Sequence, residues 1–409
     1  MQILIAMTPY PLQPTAGNIP ADKIAGRENE IKNLFTLLQS QSVLIEEFRR
    51  MGKTLLLQKL EFKSKQDGLV NKAFYFNVQG IQDKTEITDE LLYVLRNERN
   101  LSFLKTNWGR CKKMYNAVKP EIVNIADISF KLPEFKTKWK EAITACLEDI
   151  AERNSERGEL VTLILDEFPM MLWNWVDNDK AADAMELLDL LRNIRQSLKE
   201  NGNIRFVICG SIGMKVVLDR LREEFRYTGE PFNDTITFSL EPMAKEDAEF
   251  LCECLFLSGF TCNGDKAFFF ARICQLTERL PFYINKIFLI VHLSYGSELS
   301  SDNIDKAFSD ILTHPNHADV FEQLHSRLTT YHGSKARNMQ DILNFLSEKE
   351  WPASEIEIVD NINQEKETVL QGLERLIKEH YLQRTFINQK RHYTFKYQLF
   401  RKWWQLNKA

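Results

Sequence analysis

Short apolar runs alternate with stretches of helical period over the first 240 positions. Val43-Leu44-Ile45 reads as a buried strand, and Lys53 to Phe62 follows with helical spacing. Ala73 to Val78 predicts a second strand, with a helix from Glu86 to Asn97. Val161-Thr162-Leu163-Ile164-Leu165 is apolar enough to be covered on both faces. Ile204 to Cys209 and Thr235 to Phe238 complete a set of five. Strands separated by helices predict an α/β fold with a parallel, helix-covered sheet.

Other regions read differently. Residues 1–20, with Pro9, Pro11, Pro14 and Pro20, predict an extended lead-in. An insertion at 98–135 carries Arg99, Lys105, Arg110, Lys112, Lys113 and Lys119, with a strand expected from Ile122 to Phe130. From Lys245 to Phe321 the period is helical, with one break at Leu280-Pro281. Past 336, helices are expected at Met339–Glu348, Ala353–Asn361 and Lys366–His380. Strands Leu382–Ile387 and His392–Tyr397 and a terminal helix Gln398–Leu406 follow. Three helices and a β-ribbon are the pattern of a winged helix. The organisation expected is a lead-in at 1–20, a core at 21–240, a helical lid at 241–330 and a winged helix at 331–409.

Composition changes this picture little. The 409 residues are 44% hydrophobic and 27% charged, which excludes a disordered chain or a disulfide-dense mini-protein. A net charge of −4 gives no global signal for nucleic acid. Seven scattered cysteines (Cys111, Cys146, Cys209, Cys252, Cys254, Cys262 and Cys274) form no zinc or disulfide pattern and fit a reducing compartment. Met1 to Met7 lacks the basic start of a signal peptide, and Ile287 to Leu293 is far short of the roughly 20 residues a membrane helix needs. A cytoplasmic protein with no membrane partner is expected.

Chemistry concentrates after the strands. Between Ile45 and the first helix runs Glu47-Phe48-Arg49-Arg50-Met51-Gly52-Lys53-Thr54-Leu55. Gly-Lys-Thr at the start of a helix is the ending of a phosphate-binding loop, where backbone N–H groups and the helix dipole face phosphate. Residues Arg49 to Leu55 are therefore the candidate ATP-binding segment. Lys53 would reach the β- and γ-phosphates and Thr54 would place its hydroxyl on Mg²⁺. Position 47 departs from the G-x-x-x-x-G-K-[ST] pattern, being Glu. Its carboxylate would sit near phosphate, or would point outward to pair with Arg49 or Arg50.

The third strand runs into Asp166-Glu167. One acid is needed to hold Mg²⁺ and a second to orient or deprotonate the attacking water, roles that suit Asp166 and Glu167 in turn. Gly210-Ser211-Ile212-Gly213 ends the fourth strand, and Ser211 is a candidate γ-phosphate sensor or part of an ordinary turn. Arg220, Arg222 and Arg226 share a helix with Glu223 and Glu224, which favours a salt-bridged face over an arginine finger.

In combination these segments resemble the prokaryotic, archaeal-type P-loop ATPases of the AAA+/STAND class. Gly26-Arg27-Glu28-Asn29-Glu30-Ile31 is similar to the box that opens such proteins. Arg49-Arg50-Met51-Gly52-Lys53-Thr54 resembles their phosphate loop, and Asp166-Glu167-Phe168-Pro169 and Gly210 to Gly213 their next two motifs. Asn233-Asp234 and Leu240 to Met243 resemble their link to a helical lid. The resemblance implies strand order 5-1-4-3-2, a helical lid, a C-terminal winged helix and an ATP-dependent switch. Such switches often work as oligomers, beside a protein effector or nucleic acid. Arg279-Leu280-Pro281 stands where a Gly-x-Pro is common, so no nucleotide contact is assigned there.

Three functions remain open on sequence. The first is an ATPase switch regulating an unknown protein effector. The second is a DNA-associated ATPase using Arg384, Lys390, Arg391, Lys396, Arg401, Lys402 and Lys408, a run of the chain without acidic residues. The aromatic residues interleaved there are expected mainly in a core, with Trp403 and Trp404 packed on the lid. The third is a scaffold that holds nucleotide without hydrolysing it, suggested by Glu47.

Overall fold

The computed structural model describes residues 8–15, 19–66, 71–97, 139–198 and 203–409. The chain divides into two compact units. Residues up to Glu28, Glu47–Gly52 and Leu240–Ala409 form one; Asn29–Glu46 and Lys53–Ser239 form the other. The strand expected within the 98–135 insertion lies outside the described residues.

The second of these units is built on a five-stranded sheet of β1 (Ser42–Ile45), β2 (Asn71–Asn77), β3 (Leu160–Asp166), β4 (Ile204–Cys209) and β5 (Thr235–Phe238). Its order is β2-β3-β4-β1-β5 and every pairing is parallel, the order that the resemblance implied. β1 and β3 are buried along their whole length, as largely apolar strands with helices on both faces should be. The one hydroxyl on β3 is satisfied, Thr162 donating to Asn71 at 2.9 Å. Register sets the chemistry. Ile45 pairs with Cys209 and Leu165 with Ile208, so β1, β4 and β3 end level with one another. In parallel sheets of this kind ligands bind outside such carboxyl ends. Near β5, the buried Arg195 guanidinium pairs with Asp234 at 3.0 Å and donates to the Pro231 carbonyl, tying the last strand to helix Ala181–Ser197.

In the other unit, helices Lys245–Phe256, Lys266–Leu276, Pro281–Ser294, Ser301–Thr313 and Asp319–His332 succeed one another. The single break expected at Leu280-Pro281 is present, but the chain also breaks near Gly259 and Gly264 and again at Gly296. There β6 (Thr261–Cys262) and β7 (Glu298–Leu299) pair in parallel. Both breaks use glycines at positive φ, a local requirement that the apolar period hid. The proline-rich start lies along this unit, Leu12 donating to the Cys254 carbonyl at 2.9 Å.

After helix Ala336–Ser347 come β8 (Ala353–Ser354), helices Glu355–Asn361 and Lys366–Lys378, the ribbon β9 (Leu382–Ile387) and β10 (Lys390–Phe395), and helix Gln398–Asn407. The three helices and ribbon expected here are present. One detail is corrected: Ala353-Ser354 is not helical but pairs with Tyr393 and His392 of β10, and Ser354 instead caps the next helix by accepting from Glu357 N at 3.2 Å.

The core of this unit is aromatic. Phe400 stacks on Trp403 (5.7 Å, 8°), Trp403 on Phe321 (5.4 Å), and Phe321 on Tyr283 (5.3 Å). Trp403 and Trp404 are fully buried, as expected of core residues. Because Phe400 also touches Phe48, Tyr381, Phe395 and Trp404, Phe400→Ala should leave a cavity costing about 3–5 kcal/mol. Urea unfolding followed by fluorescence checks this; a loss below about 1 kcal/mol would contradict the packing described. Among the described residues no helix is long and apolar enough to cross a membrane.

Candidate functional site

At the carboxyl edge of the sheet, Lys53 and Thr54 open helix Lys53–Ser64, which follows β1, and Asp166 ends β3. Thr54 Oγ1 donates to Asp166 Oδ2 at 2.9 Å, so residues 112 positions apart share one hydrogen bond. Tyr75 OH, from the adjacent β2, donates to the same oxygen at 2.8 Å. Asp166 Oδ1 accepts from Glu167 N at 3.0 Å. The carboxylate is buried yet fully directed, as a buried charge must be. Tyr75 was not singled out in the sequence. Its role follows from the β2–β3 pairing, which places Asn77 beside Asp166.

Electrostatics agree with the geometry. Burial, and next the Asp166 carboxylate, hold the Tyr75 phenol well above its ordinary range, so it stays a donor. The Cys209 thiol is also pushed well up, first by burial and then by Asp166, while the Lys53 ammonium acts in the opposite direction. Cys209 thus feels both charges at the end of the strand that separates β1 from β3.

Glu167 adopts a left-handed conformation (φ 61°, ψ 23°) at the start of helix Phe168–Asp177. Such a conformation costs a non-glycine residue energy, and strain of this kind gathers at functional sites. Glu167 Oε2 accepts from Ser211 N at 2.9 Å. Ser211 therefore meets Glu167 through its backbone. Gly210 before it has a packing reason to be glycine: a Cβ there would lie 2.6 Å from Pro169 Cδ. The structure thus brings Thr54 to Asp166 and Ser211 to Glu167. Thr54 and Asp166 supply hard oxygens, the donor type Mg²⁺ prefers alongside waters. Among the described residues no group of three His, Cys, Asp or Glu is placed to hold a metal ion.

Arg220 and Arg222 form the salt-bridged face expected. Arg220 reaches Asp177 at 2.6 Å and lies over Trp173, and Arg222 reaches Glu230 at 2.7 Å.

The loop residues 47–52 belong to the other unit and are held there one after another. Glu47 is fully buried rather than pointing outward, and Lys396 is the cation seated on it. Lys396 Nζ binds both its carboxylate oxygens, at 2.8 and 2.7 Å. The sequence signal for this was weak, since the partners stand 349 positions apart. Phe48 packs among Tyr381, Tyr397 and Phe400. Arg49 donates to Gln323 at 2.6 Å, Arg50 lies 4.6 Å over the Phe282 ring, and the Met51 carbonyl accepts from Arg27 at 3.2 Å. Gly52 has φ +85°, a region that disfavours any side chain.

Comparison with known proteins locates the fold. No sequence-family profile matches the chain, and no curated protein matches it. Among solved structures, a Walker-type ATPase of Pyrococcus abyssi is similar over 96% of this chain and 98% of its own, with a TM-score of 0.61 and 14% identity. The Aeropyrum pernix ORC2 protein, solved in ADPNP–ADP complexes, is similar over 93% and 92%, with a TM-score of 0.50 and 14% identity. With its five parallel strands and flanking helices, the chain has the α/β fold of a P-loop NTPase core of the AAA+ type.

Proposed function

We propose that this protein binds and hydrolyses ATP with Mg²⁺ and acts as a nucleotide-dependent switch on a protein effector in the cytoplasm. The observation that carries the reading is the 2.9 Å hydrogen bond between Thr54 and Asp166, the two groups that the loop after β1 and the end of β3 must supply to one cation. Arg49 to Leu55 would cradle the phosphates, with Lys53 on the β- and γ-oxygens. Thr54 and Asp166 would hold Mg²⁺, which neutralises charge developing on the phosphates. Glu167 would take the proton of a water attacking the γ-phosphorus as the bond to the β-phosphate oxygen breaks. Ser211 would sense the γ-phosphate and pass a change on to Glu167, whose carboxylate accepts from its N–H. Residues 331–409 are read as a winged helix whose position responds to the nucleotide, and assembly into a homo-oligomer is compatible with the fold.

The ORC2 likeness keeps a DNA-associated role in view, but the basic C-terminal run is largely occupied within its own unit. Arg384 pairs with Glu374, Arg391 with Glu355, Lys396 with Glu47 and Lys408 with Glu322, while Arg401 donates to the Ser347 and Lys349 carbonyls. Cations paired in this way are less available to neutralise phosphates and release the counterions condensed on them. A protein effector is therefore preferred over nucleic acid.

The test is phosphate release from ATP by the purified protein. Turnover that stops with EDTA and returns with Mg²⁺ is expected; no release above a protein-free control would overturn the reading. Tyr75 gives a finer check. Tyr75→Phe removes one of the donors that aim Asp166, so the Mg²⁺ concentration for half-maximal turnover should rise by about tenfold, the lower end of what losing an outer partner of a metal ligand costs. An unchanged Mg²⁺ dependence would mean that Asp166 needs no such aid.

A further inference from the structure

The first position of the phosphate loop, Gly in the usual motif, is here a buried carboxylate on which three side chains from the C-terminal segment converge. Lys396 Nζ lies 2.8 Å from Oε1 and 2.7 Å from Oε2 of Glu47. Tyr397 OH donates to Oε1 at 3.4 Å, and His380 Nδ1 stands 3.7 Å from it. Glu47 also accepts from its own neighbour, Phe48 N, at 2.8 Å, which folds the carboxylate back over the loop. Lys396 is itself placed by the backbone, its N–H donating to the Tyr381 carbonyl at 3.0 Å just after β10.

A carboxylate in a triphosphate cradle would repel the ligand unless a cation covers it. Glu47 does not strain the backbone, since its φ is not among the positive values, so glycine is not required there for conformation. What glycine would otherwise avoid is charge and bulk, and Lys396 and the aromatic pocket around Phe48 absorb both. The burial of Tyr397, with the nearby Glu47 carboxylate, keeps its phenol protonated and donating.

We propose that Lys396 is a positioning residue of the nucleotide site: acting through Glu47, it holds the phosphate loop in its binding-competent shape, so that ATP affinity depends on the seating of the C-terminal segment. This inference rests on the ATP-binding reading and gives the switch a physical link. Anything that draws Lys396 and Tyr397 away uncovers Glu47 and weakens phosphate binding. By reciprocity, bound ATP favours the seated segment.

The experiment is a calorimetric titration of the full chain with Mg²⁺ and ATP, comparing wild type, Lys396→Met, Lys396→Arg, Glu47→Gly and the double variant Glu47→Gly/Lys396→Met. Lys396→Met should weaken ATP binding by about tenfold or more, and Lys396→Arg should stay within about threefold of wild type. In the Glu47→Gly background, Lys396→Met should change affinity by less than about twofold, because no carboxylate remains to be covered. A structural role for Lys396 alone would not produce that background dependence. Should Lys396→Met be recovered unfolded by circular dichroism, Lys396→Gln, which keeps a donor without charge, is expected to show the same loss. Wild type that binds ATP beside a folded Lys396→Met or Lys396→Gln of equal affinity would overturn this inference alone. An equal loss in both backgrounds would also overturn it. Wild type that binds no ATP would instead overturn the reading of the site, and this inference with it.

Discussion

Lys53→Ala should lose ATP binding by about a hundredfold or more. Lys53 sits buried at the first turn of helix Lys53–Ser64, and its charge reaches the end of the sheet, where the Cys209 thiol registers it against the Asp166 carboxylate. On the proposed reading, such a lysine would make charge-assisted hydrogen bonds to two phosphate groups, each worth about 1.5–3 kcal/mol. Two such bonds correspond to two or more decades in Kd, since about 1.4 kcal/mol is tenfold. Removal also leaves Asp166 as an unbalanced buried carboxylate facing phosphate, which adds repulsion to lost attraction. Fold should survive, because Lys53 makes no part of the apolar core; far-ultraviolet circular dichroism would show the wild-type spectrum. Retained micromolar binding by Lys53→Ala would mean that the loop at 49–55 is not the phosphate site.

Glu167→Gln should separate binding from chemistry. The variant keeps size and keeps an acceptor for the Ser211 N–H, so the left-handed turn at 167 and the contact to the next strand end are preserved. What disappears is the ability to accept a proton from water. General base catalysis contributes about 10²–10⁴-fold, so kcat should fall by that factor while KM for ATP changes little. Single-turnover measurements would show ATP bound and intact. A Glu167→Gln variant with wild-type kcat would place the base elsewhere; one that fails to bind ATP would make Glu167 a structural cap. The non-hydrolysing scaffold predicts a third pattern, with wild type already behaving like the variant.

Much of the core was legible because local pattern and tertiary need coincide there. Val161 to Leu165 is apolar but for Thr162, whose hydroxyl is hydrogen-bonded to Asn71, because helices cover both faces of the sheet, and Asp166 follows at the strand end where ligands gather. Thr54 and Asp166 were named separately, each from its motif, and their meeting follows once β4 lies between β1 and β3. The helix expected from Glu86 starts two residues earlier, at Lys84, because capping by Asp83 adds residues that apolar spacing does not show.

The parts that were not legible depend on long-range pairing. Ala353-Ser354 is too short to show a period, and becomes a strand only because His392 and Tyr393 pass beside it. Tyr75 reads as one more aromatic in a β pattern until register puts its hydroxyl on Asp166. Glu47 reads locally as an anomaly near Arg49 and Arg50, whereas the cation that binds both its oxygens is Lys396, far along the chain. No local rule connects the residue two places after β1 to the residue after a β-ribbon.

The measurement that bears most directly on the central claim is a calorimetric titration of the wild-type protein with ATP, with and without Mg²⁺. The account predicts saturable binding of about one ATP per chain, strengthened by Mg²⁺ through Thr54 and Asp166. Absence of binding up to about millimolar ATP, the weak end of the affinity scale, would contradict it, since Lys53 would then have no phosphate to hold and Thr54 and Asp166 no nucleotide-bound cation.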